Sequence, residues 1–147
     1  MSNSNDMYGA IVVGTDGSDR AGIALQEALK LAKATGAKLH VVQVLSTGAG
    51  FANDYQGQLI VDRIREDAER VRAQVLKDAE SGGVSVETHT PDGNPADAII
   101  DVAEATQADL IVVGNRGMTG AKRFVLGSVP NAIAHQAPCS VLIVKTG

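Results

Sequence analysis

The residues best suited to chemistry lie in a glycine-rich stretch, Gly114–Ser128, which fits the pattern G-x2-G-x9-G-(S/T). Its fixed points are Gly114, Gly117, Gly127 and Ser128. Glycines let the backbone approach a phosphate closely and turn N–H groups towards it. Gly127 and Ser128 would open a helix, whose free N–H groups and dipole favour an anion. Ser128 would cap that helix or hydrogen-bond a phosphate oxygen. The stretch therefore predicts a phosphate-binding loop.

Two well-known phosphate motifs do not occur in the sequence. There is no G-x-x-x-x-G-K-(S/T), so the phosphate-clamping lysine of P-loop NTPases is missing. There is no G-x-G-x-x-G either, which argues against a Rossmann dinucleotide site. No Ser/His/Asp order or carboxylate pair suggests covalent or hydrolytic catalysis. We therefore expect a protein that holds a nucleotide without being an enzyme, or one that hydrolyses it weakly at most.

The elements that must position this loop are strands alternating with helices. Ile11–Val13 and Leu110–Val113 are continuously apolar, as strands covered on both faces should be. Val84–Thr90 alternates between apolar and polar residues, which favours a sheet edge. The predicted strands are Tyr8–Gly14, Lys38–Leu45, Val84–Thr90, Asp109–Gly114 and Ser140–Lys145.

Helix signals fill the intervals between the strands. Ser18 or Asp19 is expected to cap the first helix and Gly36 to end it. Asn94 and Pro95 are typical of the cap and first position of the third helix. The last helix is expected to begin near Gly127. The second is predicted from Gln58 to Glu80, with an inward stripe of Ile60, Ile64, Ala68, Val71 and Val75.

This alternation predicts a doubly wound α/β fold, a five-stranded parallel sheet of strand order 3-2-1-4-5 with helices on both faces. We expect one domain over residues 1–147, with a flexible N-terminus at residues 1–7. Ligands of such folds bind outside the carboxyl ends of the strands at the switch point, here between strands one and four. The segments leaving those strands are Gly14–Ser18 and Gly114–Gly117. The polar connection Ser46–Gly57 is either a flap over that point or a plain surface loop.

Asp16 is the second candidate ligand-binding residue, because it follows the first strand. Its carboxylate could accept a hydrogen bond from a ribose hydroxyl or hold a Mg²⁺-bound water. An aspartate in Asp-Gly-Ser is also typical of a turn. We favour ligand contact because of the switch-point position. Thr15 is a weaker candidate.

Charge and hydropathy narrow the classes of partner. With 13 basic and 17 acidic residues the net charge is −4, which argues against a generic nucleic-acid binder. The cluster Arg116, Lys122 and Arg123 can still attract a phosphate. No apolar run is long enough to span a membrane, and Met1–Asp6 contains no signal-peptide core. A cytoplasmic protein is the expectation.

Cysteine and histidine usage gives no sign of a metal centre. Cys139 is the only cysteine, so neither an internal disulfide nor a cysteine-based metal site is expected. His40, His89 and His135 are scattered along the chain without ligand spacing. His135 and Cys139 lie at the far end of the last helix, away from the switch point, so a buried structural cysteine is expected.

The chain resembles the universal stress protein family over essentially its full length, both in the two segments that leave strands one and four and in several strands. Its full glycine pattern is that of the ATP-binding branch. The resemblance implies the Rossmann-like fold of the adenine nucleotide alpha hydrolase type and a role in stress response. The matching pieces are Ile11–Ser18 (IVVGTDGS), Lys38–Val44 (KLHVVQV), Asp109–Gly117 (DLIVVGNRG), Leu126–Val129 (LGSV) and Cys139–Val144 (CSVLIV).

The resemblance also implies how a nucleotide is held. Asp16 would contact ribose, triphosphate or a Mg²⁺ carried by the nucleotide, and the main chain at Val44 would hold adenine. The glycine-rich backbone would hold ribose and phosphates. The implied binding residues are Gly14, Thr15, Asp16, Val44, Val113, Gly114, Asn115, Arg116, Gly117, Gly127, Ser128 and Val129.

Two further implications concern assembly and nucleotide identity. The family dimerises through its last strand, here Val141–Val144, which implies a homodimer and would cover an apolar edge. Pro130 stands where many ATP-binding members carry a small polar residue, and it cannot donate a hydrogen bond to a phosphate. Similar members with GSVP favour cyclic AMP, so cyclic AMP is the alternative to ATP.

Overall fold

The fold is described by a computed structural model for residues 8–45, 53–115 and 126–146. The predicted flexible N-terminus, residues 1–7, lies outside these ranges. The elements are β1 (Ala10–Thr15), α1 (Asp19–Thr35), β2 (Lys38–Gln43), α2 (Tyr55–Gly82), β3 (Val86–His89), α3 (Pro95–Ala105), β4 (Leu110–Gly114), α4 (Ser128–Gln136) and β5 (Ser140–Val144).

The five strands form one parallel sheet in the order β3-β2-β1-β4-β5. This confirms the predicted doubly wound topology, with β1 and β4 adjacent at the switch point. Strand ends differ from the prediction by one or two residues. β2, for example, ends at Gln43, but Leu45 still makes an isolated parallel bridge to Asp92 beyond β3.

Alternate residues of the strands feed two aliphatic cores, one on each face of the sheet. Val12 and Val13, for instance, are both fully buried but point to opposite faces. The first core packs under α1 and the C-terminal half of α2, and the second under α3 and α4. Helix residues buried in these cores are Leu25, Ala28, Leu29, Ala32, Val75 and Ala79 on the first face, and Ala96, Ile99, Ile100, Ala103 and Ile133 on the second.

The predicted helix boundaries of α1 and α3 are confirmed at atomic detail. The Ser18 side chain accepts a hydrogen bond from the Ala21 N–H at 3.2 Å, and Gly36 ends α1 with a left-handed φ of 75°. Asn94 accepts from the Asp97 N–H at 3.1 Å. These contacts satisfy N–H groups that a helix start leaves without partners.

Replacing Ser18 by alanine is expected to lower the free energy of unfolding by about 1 kcal/mol, because the Ala21 N–H loses its acceptor. Urea denaturation monitored by circular dichroism measures this change. Ser18→Asn, which keeps a capping oxygen, is the matched control and should stay near the wild-type value. Equal stability of the alanine and asparagine variants would contradict the capping role.

The predicted inward stripe of α2 is partly wrong. Ile60 is 46% exposed, whereas its neighbour Val61 is buried. The helix also begins at Tyr55, with Asp54 as its cap, rather than near Gln58. Only its C-terminal half belongs to the sheet core, so apolar spacing alone could not fix which side of the N-terminal half faces the protein. No helix in the described ranges is long and apolar enough to cross a membrane.

Candidate functional site

The exits of β1 and β4 lie side by side at one edge of the sheet. The strands pair in register at Val13 and Val112, which brings Gly14 next to Val113. A Cβ on Gly14 would lie 3.7 Å from Cγ1 of Val113. Val44, which follows β2 on the other side of β1, packs against the core under α3 and α4. The sheet therefore brings Gly14, Thr15, Val44, Val113 and Gly114 to the predicted edge.

Asp16 takes part in a turn and keeps one carboxylate oxygen available. Its Oδ1 accepts from the Ser18 N–H at 2.9 Å, and Thr15 Oγ1 accepts from the Gly17 N–H at 3.1 Å. Gly17 has a φ of 82°, which suits glycine. Within the described ranges, Oδ2 of the exposed Asp16 side chain has no hydrogen-bond partner. The turn contact therefore uses only Oδ1.

Asn115 ties together both ends of the glycine-rich stretch and the C-terminal segment. Its carbonyl accepts from the Gly127 N–H at 2.9 Å, and its own N–H donates to the Val144 carbonyl at 2.9 Å. Its Oδ1 accepts from the N–H and the hydroxyl of the buried Thr146, at 2.9 and 3.0 Å. Asn115 thus fixes the frame of the loop, a role that its place in the motif did not reveal.

The start of α4 offers two backbone donors. Gly127 is the N-cap and makes no side-chain cap hydrogen bond, and Ser128 is the first helical residue, so the expectation that Ser128 caps α4 is wrong. Ser128 cannot cap because its own backbone is already helical. The Gly127 N–H is bonded to Asn115, and Pro130 has no N–H. In the described part of the chain, the amides of Ser128 and Val129 have no partner.

The remaining predicted binding residues, Arg116 and Gly117, lie outside the described residues, as do Lys122 and Arg123. Of the predicted connection Ser46–Gly57, a flap or a plain surface loop, residues 46–52 are also outside the described residues. Tyr55–Gly57 form the first turn of α2, so the predicted end of this connection is wrong.

Cys139 lies at the amino edge of the sheet, as expected, but is part-buried rather than fully buried. Burial, with a smaller contribution from the Asp109 carboxylate, raises the pKa of its thiol. A thiol with a raised pKa is a poor nucleophile at neutral pH.

Asp109 itself accepts from the N–H groups of Gly9 and Ala10, at 2.7 and 3.1 Å. His135, in the last turn of α4, is exposed.

The interpretation of the histidines as scattered is wrong for two of them. His40 Nδ1 and His89 Nε2 are 3.1 Å apart, with Glu87 beside both rings. The sequence did carry a signal. The predicted strand order places these residues on adjacent strands, where parallel pairing can align distant positions.

Comparison with known proteins identifies the family. The Universal stress protein family matches residues 7–145. A universal stress protein of Methanocaldococcus jannaschii is 36% identical, over 97% of this chain and 85% of the relative. A solved universal stress protein in complex with cAMP is 34% identical, with a TM-score of 0.67 and coverage of 95% of this chain and 98% of that chain. The universal stress protein from Archaeoglobus fulgidus in complex with dAMP is 28% identical, with a TM-score of 0.70 and coverage of 95% and 99%. With a family match over nearly its whole length, this chain belongs to the universal stress protein family.

Proposed function

We propose that this protein binds an adenine nucleotide, ATP as the first candidate, where β1 and β4 end. We further propose that it acts in the cytoplasm as a non-enzymatic homodimer in the stress response. The observation that carries the nucleotide proposal is the meeting of the β1 and β4 exits at one sheet edge. Asp16 follows β1 there, and in the described part of the chain the amides of Ser128 and Val129 at the start of α4 have no partner. Family relatives solved with cAMP and with dAMP support the class of ligand.

The phosphate end of the ligand would face the first turn of α4. The amides of Ser128 and Val129 are available there, and α4 is nine residues long, so its dipole adds to their attraction for an anion. Arg116 and Gly117, on the same glycine-rich stretch, would complete the cradle. Gly127 contributes its backbone shape, because its N–H already bonds Asn115.

The opposite side of the ligand would meet β1 and β2. Asp16 Oδ2, which has no partner in the described part of the chain, would contact a ribose hydroxyl or Mg²⁺ brought by ATP. The main chain at Val44 would take the adenine. Gly14 and Thr15 set the path of the chain into this turn. The sequence contains no P-loop lysine motif, which supports holding of the nucleotide over rapid phosphoryl transfer.

Cyclic AMP is the second candidate, and the start of α4 is the observation that favours it. Pro130 has no N–H and the Gly127 N–H is occupied, so only the amides of Ser128 and Val129 remain for phosphate in the described part of this turn. Two amides are better suited to the single phosphate group of cyclic AMP than to the three phosphate groups of ATP. The 34% identical relative solved with cAMP supports the same alternative.

The homodimer would form through β5. This strand is a sheet edge, its apolar segment Val141–Val144 is only part-buried, and Ile143 is 36% exposed. An edge of this kind offers unpaired N–H and C=O groups to a second copy. Pairing by a two-fold axis would close the edge and stop further association.

Isothermal titration with Mg-ATP and with cyclic AMP, on protein freed of copurified nucleotide, tests the proposed function. We expect ATP to bind and the Asp16→Ala variant to bind it about 10–100-fold more weakly, since a hydrogen bond to a charged group is lost. Asp19→Ala, which removes the same charge three residues away, is the matched control and should bind nearly as the wild type. Tighter binding of cyclic AMP selects the second candidate, and binding of neither at millimolar concentration refutes both.

A further inference from the structure

Three metal-ligating side chains meet on one face of the sheet at the β2–β3 edge. His40 on β2 is paired with Glu87 on β3, and Val42 is paired with His89. Paired residues of parallel strands point to the same face, and so do residues two apart on one strand. His40, Glu87 and His89 therefore converge although 49 residues separate the two histidines.

We propose that His40, Glu87 and His89 form a binding site for a transition-metal ion, with Zn²⁺ as the fitting example. Two imidazoles and one carboxylate are a donor set that Zn²⁺ takes with three protein ligands and an open fourth position. All three residues offer a ligand atom within 4.8 Å of the others. None of them belongs to the proposed nucleotide site.

The distances match what a tetrahedral ion needs. Two ligands at the usual zinc distances lie about 3.3 Å apart across a tetrahedral angle. The histidine nitrogens are 3.1 Å apart, and the Glu87 oxygens lie 3.8 Å from His40 Nδ1 and 4.0 Å from His89 Nε2. A rotation of the exposed Glu87 side chain towards the two nitrogens would bring all three ligands into coordination range.

Burial shields one of the three ligands from water. His40 is only 5% exposed, so little water competes with a metal for its ring nitrogens. A ring nitrogen coordinates a metal through its lone pair. A hydrogen bond between the two rings also accounts for their 3.1 Å contact. Zinc titration separates this explanation from a metal site.

One neighbour competes with the metal. Lys38 Nζ lies 3.0 Å from Glu87 Oε2, so it occupies an oxygen that a metal ion would use. The Lys38 side chain is half exposed, so it can turn into solvent when a cation takes its place. Lys38→Met is therefore expected to tighten metal binding rather than weaken it, which a purely structural role for the cluster would not produce.

A bound ion would join β3 to β2. β3 is a four-residue edge strand, and an ion held by both strands would stabilise the folded state by mass action. The direct test is isothermal titration of ZnCl₂ into chelator-treated, nucleotide-free protein that carries no polyhistidine tag. Thermal unfolding with and without Zn²⁺ provides a second readout.

We expect one Zn²⁺ per chain, a rise in Tm with Zn²⁺, and binding weakened about 10-fold or more in His89→Gln and Glu87→Gln. His135→Gln, at an exposed histidine on α4, is the matched control and should bind as the wild type. Circular dichroism without metal shows that each variant is folded. No stoichiometric binding by the wild type, or binding unchanged in His89→Gln, would overturn the proposal, and neither result bears on nucleotide binding.

Discussion

Replacing Gly14 by alanine is expected to lower the free energy of unfolding by about 1–3 kcal/mol. A Cβ at this position would lie 2.5 Å from Cδ1 and 3.3 Å from Cγ1 of Ile99 on α3. Ile99 is 4% exposed, so its side chain has little room to withdraw. Urea denaturation measures the loss. The glycine at the end of β1 thus serves the close packing of α3 on the strand that presents Asp16.

Two variants make this prediction specific. Gly22→Ala, in α1, adds a Cβ that meets nothing within 4 Å, so it should be neutral or stabilising by about 0.5–1 kcal/mol. Ile99→Val removes the Cδ1 atom that blocks the new methyl group. In a double-mutant cycle, Gly14→Ala should therefore cost less in the Ile99→Val background than in the wild type. Additive effects would show that the Gly14–Ile99 contact is not the cause.

Replacing Asn115 by leucine is expected to lower the free energy of unfolding by about 1–3 kcal/mol and to loosen the C-terminal segment. The substitution removes the oxygen that accepts from the buried N–H and hydroxyl of Thr146. A buried donor left without an acceptor keeps its desolvation cost and gains nothing in return. Urea denaturation gives the stability, and hydrogen exchange should show faster exchange of the Thr146 amide.

Asn115→Asp is the control, because it retains an acceptor oxygen in the same place. Within the described residues, the contacts of this side chain run through Oδ1, so aspartate at neutral pH should preserve most of the stability. Thr146→Val separates the hydroxyl contact from the amide contact. If leucine and aspartate at position 115 destabilised the protein equally, the loss would come from something other than the Thr146 acceptor.

Most of the fold was predictable because local signals and topology agreed. Asn94-Pro95 marked a helix start, Gly36 marked a helix end, and the unbroken apolar runs of β1 and β4 indicated central strands. The switch-point rule then located the site edge from topology alone. Which side of α2 faces the protein was less predictable. Ile60 and Val61 are both apolar, and only the packed structure shows which of them is buried.

The site details that sequence reasoning missed depend on contacts between distant segments. The family resemblance implies Asn115 as a nucleotide-binding residue, but it does not reveal the bonds of Asn115 to Gly127, Val144 and Thr146, which lie on two other segments. His40 and His89 looked unrelated because only the β2–β3 register aligns them. Pattern and propensity describe neighbours in the chain, so contacts of this kind become visible only when the register is known.

The bonds of Asn115 have a thermodynamic consequence for a protein that both binds a nucleotide and pairs through β5. One residue contacts the loop end at Gly127 and the strand end at Val144 and Thr146. A second copy that orders the end of β5 would therefore also order Gly127 at the start of α4, where the proposed ligand would bind. If dimer formation strengthens ligand binding by some factor, thermodynamic reciprocity requires that the ligand strengthen the dimer by the same factor. In such a protein, self-association would report nucleotide concentration.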